Sequence, residues 1–306
     1  MRGNCLISPL IIIKEVENGT CKECKKCLYE KEIKRAENIK NLLERKQYIK
    51  EVEYALEHFS FDSPPEYIDC FLKIYKNSGQ EVQSYKKLKK KYNIKMQQKV
   101  KEFEEEINQS ENPLKLAIQL AIVGNYIDCI AMPTIDDKVL NRLLMQYREI
   151  KLDDKIYKLF TNDLANSRKV IYCTDNCGEI VLDKLLIKYL TLYYPQLEIQ
   201  VIVRGEEIGN DASIEDAENI SMQEVAAFEG NGTTIAGTSL HLLSDELKKK
   251  FYKADMIISK GQGNYETLSG SGLNIYYLFL CKCNHLQKIF LAKFLDPIFS
   301  MECERR

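Results

Sequence analysis

After residue 165 the sequence alternates, with short β-branched runs separated by amphipathic helical segments, and this alternation limits the fold more than any other feature. KVIYCTDN (169–176), EIQVIVRG (198–205), DMIISKGQGNYE (255–266) and NIYYLFLCKC (274–283) predict strands, and GTTIAG (232–237) predicts a short further one. Between them lie GEIVLDKLLIKYLTLYY, with Ile180, Leu182, Leu185, Leu186 and Leu190 free to form one buried side, then a helical stretch from Ile214 to Phe228, and DELKKKFYKA. Strands and helices in this order predict an α/β chain whose mainly parallel sheet carries helices on both faces. Ligands of such sheets bind outside the carboxyl ends of the strands.

The first half has a different texture. From Cys21 to about Arg148, Lys/Glu-rich windows carry apolar residues three and four apart, as at Ile33, Ala36, Ile39 and Leu43. Pro64, Pro65, the KNSG turn at 76–79 and Pro113 divide this region into several helices. The charge-dense stretch at 85–107 predicts one long solvated helix. The expected organisation is a mainly helical region over 1–150 and an α/β metal-binding catalytic domain over 151–306.

Composition removes several function classes. Lys plus Arg total 44 against 45 Asp plus Glu, so no net field recommends a nucleic acid or an anionic membrane as partner. CLISPLIII at 5–13 is broken by Pro9 and is too short to span a bilayer, which needs about 20 apolar residues. No signal-peptide cleavage pattern follows it, and an odd count of 11 cysteines fits reduced thiols, so a cytoplasmic protein is expected. Cys5, Cys70, Cys129, Cys173 and Cys177 sit in apolar contexts that suit small core residues.

Polar residues gather at four strand ends: 174–179, 204–213, 259–266 and 281–283. The first two supply Asp175, Asn176 and Asp211, an oxygen-only set that suits Mg²⁺ or Mn²⁺. Each alone also suits a helix cap, so the argument rests on their joint occurrence. In the third, Lys260, Gly261, Gly263 and Asn264 have the chemistry of a phosphate cradle or of a plain tight turn. The Walker and dinucleotide spacings are absent. CKECKKC spaces Cys21, Cys24 and Cys27 for one soft metal ion, and Cys281 and Cys283 form a distant CxC. His58, His241 and His285 show no ligand spacing among themselves and predict structural or surface roles.

At these residues the sequence resembles the damage-control phosphatase family, specifically its prokaryotic-type branch with an N-terminal CxxC. The likeness runs through Cys24 to Leu28, AIVGNYIDCIA (121–131), DNCGEIVLDKLLI (175–187), VRGEEIGNDASIEDA (203–217), ADMIISKGQGNYETL (254–268) and LFLCKC, in that order. It implies a helical N-terminal region packed on a Rossmann-like α/β/α domain, with a divalent metal (Mn, Mg, Co or Ni) on Asp175, Asn176 and Asp211. It further implies Lys282 as a phosphate-binding lysine, Glu179, Arg204, Asn125 and Asp128 as substrate-side or supporting residues, and Cys24 with Cys27 as the cysteine pair. Asp175 and Asp211 become the catalytic carboxylates. The implied activity is hydrolysis of phosphate monoesters of small metabolites, sugar phosphates or phosphopantetheine-like compounds. Departures occur at Cys177, Ser213, the RGEEIGND loop and the additional Cys21. Two other classes stay open: an S-adenosylmethionine-dependent carboxyl methyltransferase, and a non-catalytic metal-binding or redox protein.

Overall fold

Eight α-helices precede the first strand among the residues that the computed structural model describes, 20–128, 130 and 137–302. Cys5, Cys129 and the apolar stretch at 5–13 lie outside these residues. The eight are α1 (Lys22–Ala36), α2 (Leu42–His58), α3 (Pro64–Asn77), α4 (Lys86–Gln97), α5 (Val100–Gln109), α6 (Pro113–Gly124), α7 (Asp137–Leu144) and α8 (Asp154–Asn166). Local chemistry sets their starts. Asn41 and Asp153 accept N–H groups from the first turns of α2 and α8, and Pro64 and Pro113 stand where a missing N–H costs nothing. Helices α1 to α3 share a small core of their own around Tyr48, Val52, Tyr67 and Phe71.

The stretch at 85–107 is neither a single helix nor merely solvated. It breaks between α4 and α5, whose Tyr92, Met96, Phe103 and Ile107 enter the main core. Lys89 and Asn93 are buried as well.

The remaining elements are β1 (Lys169–Cys173), α9 (Glu179–Tyr193), β2 (Glu198–Val203), α10 (Ile214–Asn219), β3 (Ala227–Gly230), α11 (Asp245–Lys253), β4 (Met256–Lys260), α12 (Gln262–Leu268), β5 (Ile275–Leu280), α13 (Asn284–Phe290) and β6 (Pro297–Met301). The strands form one sheet in the order β3-β2-β1-β4-β5-β6, parallel except for β6. Alternate strand residues face opposite ways. Val170 and Tyr172 join a core with α6 and α9, while Ile171 and Cys173 join one with α11, α12 and α13. This is the mixed α/β architecture that the alternation predicts.

Three local expectations change. GTTIAG forms no strand, because the helix expected up to Phe228 ends at Asn219, where left-handed Ser221 (φ 56°) turns the chain and frees Ala227–Gly230 to pair with β2. The expected Gly-rich loop after β4 is a helix, α12, entered directly from Gly261. Strand β6 adds an antiparallel edge that the sequence reading missed. Among the described residues, no helix is long and apolar enough to cross a membrane.

The chain lays β1, β2 and β3 outward on one side, then returns to place β4 against the other side of β1. The crevice beyond the carboxyl ends of β1 and β4 is the switch point where an α/β sheet admits a ligand.

Candidate functional site

Two polar loops are stitched together at that crevice. After β1, Asp175 and Asn176 leave the sheet, and the loop after β2 brings Asp211 back to bridge Asn176 through the backbone. The Ala212 N–H donates to the Asp175 carbonyl at 2.7 Å, and the Cys177 N–H to the Asn210 carbonyl at 2.8 Å. Residues far apart in sequence are thereby fixed side by side.

Arg204, wholly buried, joins the two carboxylates. Its Nε–H donates to Asp211 Oδ2 at 2.6 Å and its Nη2 to Asp175 Oδ1 at 3.3 Å. Its Nη1 is used on Asn264 Oδ1 at 3.0 Å and on the Gly237 carbonyl at 3.2 Å. A planar guanidinium bonded on two edges is a rigid spacer, so Arg204 positions the carboxylates.

A second tier holds Asp175 from behind. Its Oδ2 accepts from Asn125 Nδ2 at 3.0 Å and Asn176 Nδ2 at 2.7 Å. Both amides also donate to Glu179 Oε2 at 2.9 Å. Asn210 Nδ2 donates to Asn176 Oδ1 at 2.7 Å. Gly261 lets this assembly close: at φ +80° it has a conformation L side chains rarely adopt, and a methyl there would overlap the Asp175 carboxylate.

Burial holds the Asp175 carboxyl well above the usual carboxylate range, with Asp211 and Glu179 adding to the effect and Arg204 and Lys282 opposing it. Burial raises Asp211 too, against the pull of Arg204. A buried pair of mutually repelling carboxylates fits a hard divalent cation, whose charge would relieve the repulsion, while the Asn176 amide turns its Nδ2 to Asp175 and its Oδ1 to Asn210. Each carboxylate has about four lone-pair positions, and the bonds described use only part of them. Asp175 and Asp211 keep 9% and 7% exposure, enough to meet a ligand from one side.

The two lysines expected to handle phosphate differ. Lys260 is fully buried, and its ammonium donates to the Ala121 carbonyl at 2.8 Å, Glu179 Oε1 at 2.7 Å and Asp183 Oδ1 at 2.6 Å. All three donors are occupied, so Lys260 supports Glu179 and is not a phosphate ligand. Lys282 donates to the Asn125 carbonyl at 2.7 Å and to Asp128 Oδ2 at 2.8 Å. Two bonds leave a third donor, on an ammonium whose charge is felt at Asp175.

The rest of the expected cradle is structural. The Gly261 N–H donates to the Leu278 carbonyl at 3.3 Å. At Gly263 a methyl would overlap the Ala236 carbonyl, so that glycine packs α12 against the neighbouring loop. Asn264 is buried and ties the Thr174 and Lys260 carbonyls to Arg204. Asp175, Asn176, Asp211, Arg204, Glu179, Asn125, Asp128 and Lys282 thus form one network, with Lys260, Gly261, Gly263 and Asn264 beneath it.

The cysteine pair is displaced by one repeat. Cys21 caps α1 and folds its sulfur back to within 3.1 Å of Cys24 Sγ, while Cys27 is exposed. A capping residue points its side chain into the first turn, which selects Cys21 over Cys27 as the partner of Cys24.

Sequence reasoning also missed Asp183, Asn210, Lys89 and Asn93. Asn93 accepts the Gly178 N–H at 2.6 Å and donates to Asp216 Oδ1 at 2.8 Å, and Lys89 pairs with Asp216 at 2.7 Å, so α4 braces both polar loops. The available signal was Asp183, a carboxylate one turn past Glu179 inside the apolar helix α9, facing a lone lysine that closes the apolar run MIISK. A cleft of ≈ 320 Å³ lies beside the network, lined by Lys86, Lys89, Lys90, Glu206 and Ser213, and neither Asp175 nor Asp211 lines it.

Comparison with known proteins gives one consistent answer. The family described as "Damage-control phosphatase ARMT1-like domain" matches residues 20–293. An uncharacterized protein of Methanocaldococcus jannaschii is 35% identical over 210 residues, 65% of this chain and 67% of that protein. A damage-control phosphatase of Pyrococcus horikoshii is 34% identical over 174 residues, and one of Archaeoglobus fulgidus 35% over 181. Those two matches cover 55% and 57% of this chain and 58% and 60% of the relatives, so the chain spans under two thirds of their lengths. The crystal structure of a duf89 family protein from Pyrococcus horikoshii is similar with a TM-score of 0.76 at 26% identity, over 93% of this chain and 99% of that one. The likeness in shape extends well beyond the matched sequence.

Proposed function

This chain belongs to the damage-control phosphatase ARMT1-like family, and on that premise we propose that it is a divalent-metal-dependent phosphatase acting on phosphate monoesters of small metabolites. The reading is carried by one observation. Two carboxylates from different loops are locked onto a single buried guanidinium, beside an ammonium with a donor still available.

Asp175, Asn176 and Asp211 would hold the cation, with Mg²⁺, Mn²⁺, Co²⁺ and Ni²⁺ as the candidates. When bound, such an ion supplies Lewis acidity toward a phosphoryl oxygen. The chain's own groups do the remaining work. Lys282, anchored by Asp128 and the Asn125 carbonyl, offers its third N–H to a second phosphoryl oxygen and offsets the charge that builds up during in-line displacement. Arg204 and Asn125 keep the acidic oxygens from moving while charge shifts, which lowers the reorganisation cost of the step. Sugar phosphates and phosphopantetheine-like esters are the substrate classes proposed.

The methyltransferase alternative has less support. A site for S-adenosylmethionine commonly uses a Gly-rich loop after the first strand and an acidic residue at the end of the second. Here the first loop holds Asp175 and Asn176, and β2 is followed by the buried cation Arg204. The test is phosphate release from a panel of sugar phosphates and phosphopantetheine-like esters, run with each of the four metals. The expected result is turnover with at least one of them, abolished by EDTA and restored by adding metal back. Saturable S-adenosylmethionine binding with no phosphate release under any metal would overturn the reading.

A further inference from the structure

A second group of donor atoms lies where the start of α1 meets the start of α13. Cys21 Sγ is 3.1 Å from Cys24 Sγ and 3.7 Å from His285 Nδ1, and the three ligand atoms all lie within 4.8 Å of one another. It is the one such cluster of three His, Cys, Asp or Glu donors among the described residues. All three side chains are half-buried, so an ion has a path in. The seam is held independently by Lys288 Nζ, 2.7 Å from Glu23 Oε2.

The donor chemistry is opposite to that of the carboxylate network. Two thiols and an imidazole are soft to borderline ligands, which select zinc-type ions over magnesium. A tetrahedral ion with Zn–S bonds of about 2.3 Å places its sulfurs about 3.8 Å apart, so sub-ångström side-chain shifts would seat one here. The sequence separation of Cys24 and His285 means that such an ion would clasp the N-terminal three-helix unit, with its own small core, to the end of the α/β unit.

We propose that Cys21, Cys24 and His285 bind one thiolate-preferring divalent cation of the zinc class, a site separate in residues and chemistry from the carboxylate network. This site does not depend on the phosphatase reading, and its test does not use activity.

The full chain, purified under reducing conditions, is titrated with Co²⁺ alone and followed by absorption. The expected result is a thiolate-to-cobalt charge-transfer band in the near ultraviolet with strong tetrahedral bands in the visible, both displaced by Zn²⁺. The band should persist in an Asp175→Asn/Asp211→Asn double variant, because oxygen ligands give no sulfur charge transfer. It should weaken in Cys21→Ser and in Cys24→Ser and disappear in the Cys21→Ser/Cys24→Ser double variant, and His285→Ala should weaken cobalt binding by about tenfold or more. Circular dichroism reports whether each variant is folded, and the titration of the unmodified chain stands without them. No sulfur band in the folded, reduced chain, or a band unaffected by Cys21→Ser in folded protein, would overturn the site.

Discussion

The carboxylate network and the cysteine–histidine cluster are both assembled from distant parts of the sequence, yet they are built in opposite ways. In the network each of Asp175, Asp211 and Glu179 is held by buried partners: Arg204 from one side, Asn125 and Asn176 from the other, with Lys260 beneath Glu179. The cluster is held more lightly, by the Cys24 N–H donating to Cys21 Sγ at 3.3 Å. Its donors sit half-exposed on the first turns of two helices, and their spacing depends on how those helices meet. The contrast teaches that donors can be set in place by a web of buried partners or by no more than the meeting of two helix ends.

Forcing the scaffold apart at its tightest point is the strongest way to break this comparison. Gly261→Ala adds a methyl where the Asp175 carboxylate lies, in a backbone conformation that alanine resists. Displacement of a reacting group by about 1 Å costs on the order of 100-fold, so kcat/KM for phosphate release should fall by about that factor. The cobalt spectrum of the cysteine cluster should not move. If Gly261→Ala retained full activity, Asp175 would not need the position assigned to it.

A gentler variant sharpens the comparison at its base. Burial pushes the Asp183 carboxyl from 3.8 up to about 6, with Lys260 pulling against it, and its Oδ2 has no hydrogen-bond partner. A carboxyl raised in the folded state binds its proton more tightly there than in the unfolded chain. Its contribution to stability is therefore present at low pH and is lost as pH rises from about 4 through about 6. A shift of that size corresponds to roughly 3 kcal/mol across the window. Asp183→Asn should flatten the pH dependence of unfolding free energy by about that amount, measured by denaturant titration at each pH. An unchanged slope would show that Asp183 does not titrate there.

The legible and illegible parts of this molecule divide along physical lines. The strands of 169–173, 198–203, 256–260 and 275–280 were readable because buried parallel strands are short, mainly apolar runs without strict alternation. The convergence of Asp175, Asn176 and Asp211 was readable because polar residues just past such runs fall at one edge of the sheet. Lys260 was misread because a lysine beside glycines has the composition of an anion cradle, and nothing local shows that Asp183 and Glu179 on α9 occupy its charge. His285 was passed over for a similar reason. Its partners are more than 250 residues away, and one of them, Cys21, turns inward only because it caps a helix. Strand β3 escaped because Ala227–Gly230 is a short, partly exposed edge, with no buried face to impose a pattern.

Direct Mn²⁺ binding at the carboxylate network tests the central claim most closely. Titrated into a Cys21→Ser/Cys24→Ser background, so that the sulfur cluster cannot compete, Mn²⁺ should bind at one equivalent by electron paramagnetic resonance. Adding Asp211→Ala to that background should abolish binding while the fold, checked by circular dichroism, persists. Unchanged Mn²⁺ affinity in the folded Asp211→Ala chain would contradict the claim that Asp175, Asn176 and Asp211 meet around one cation.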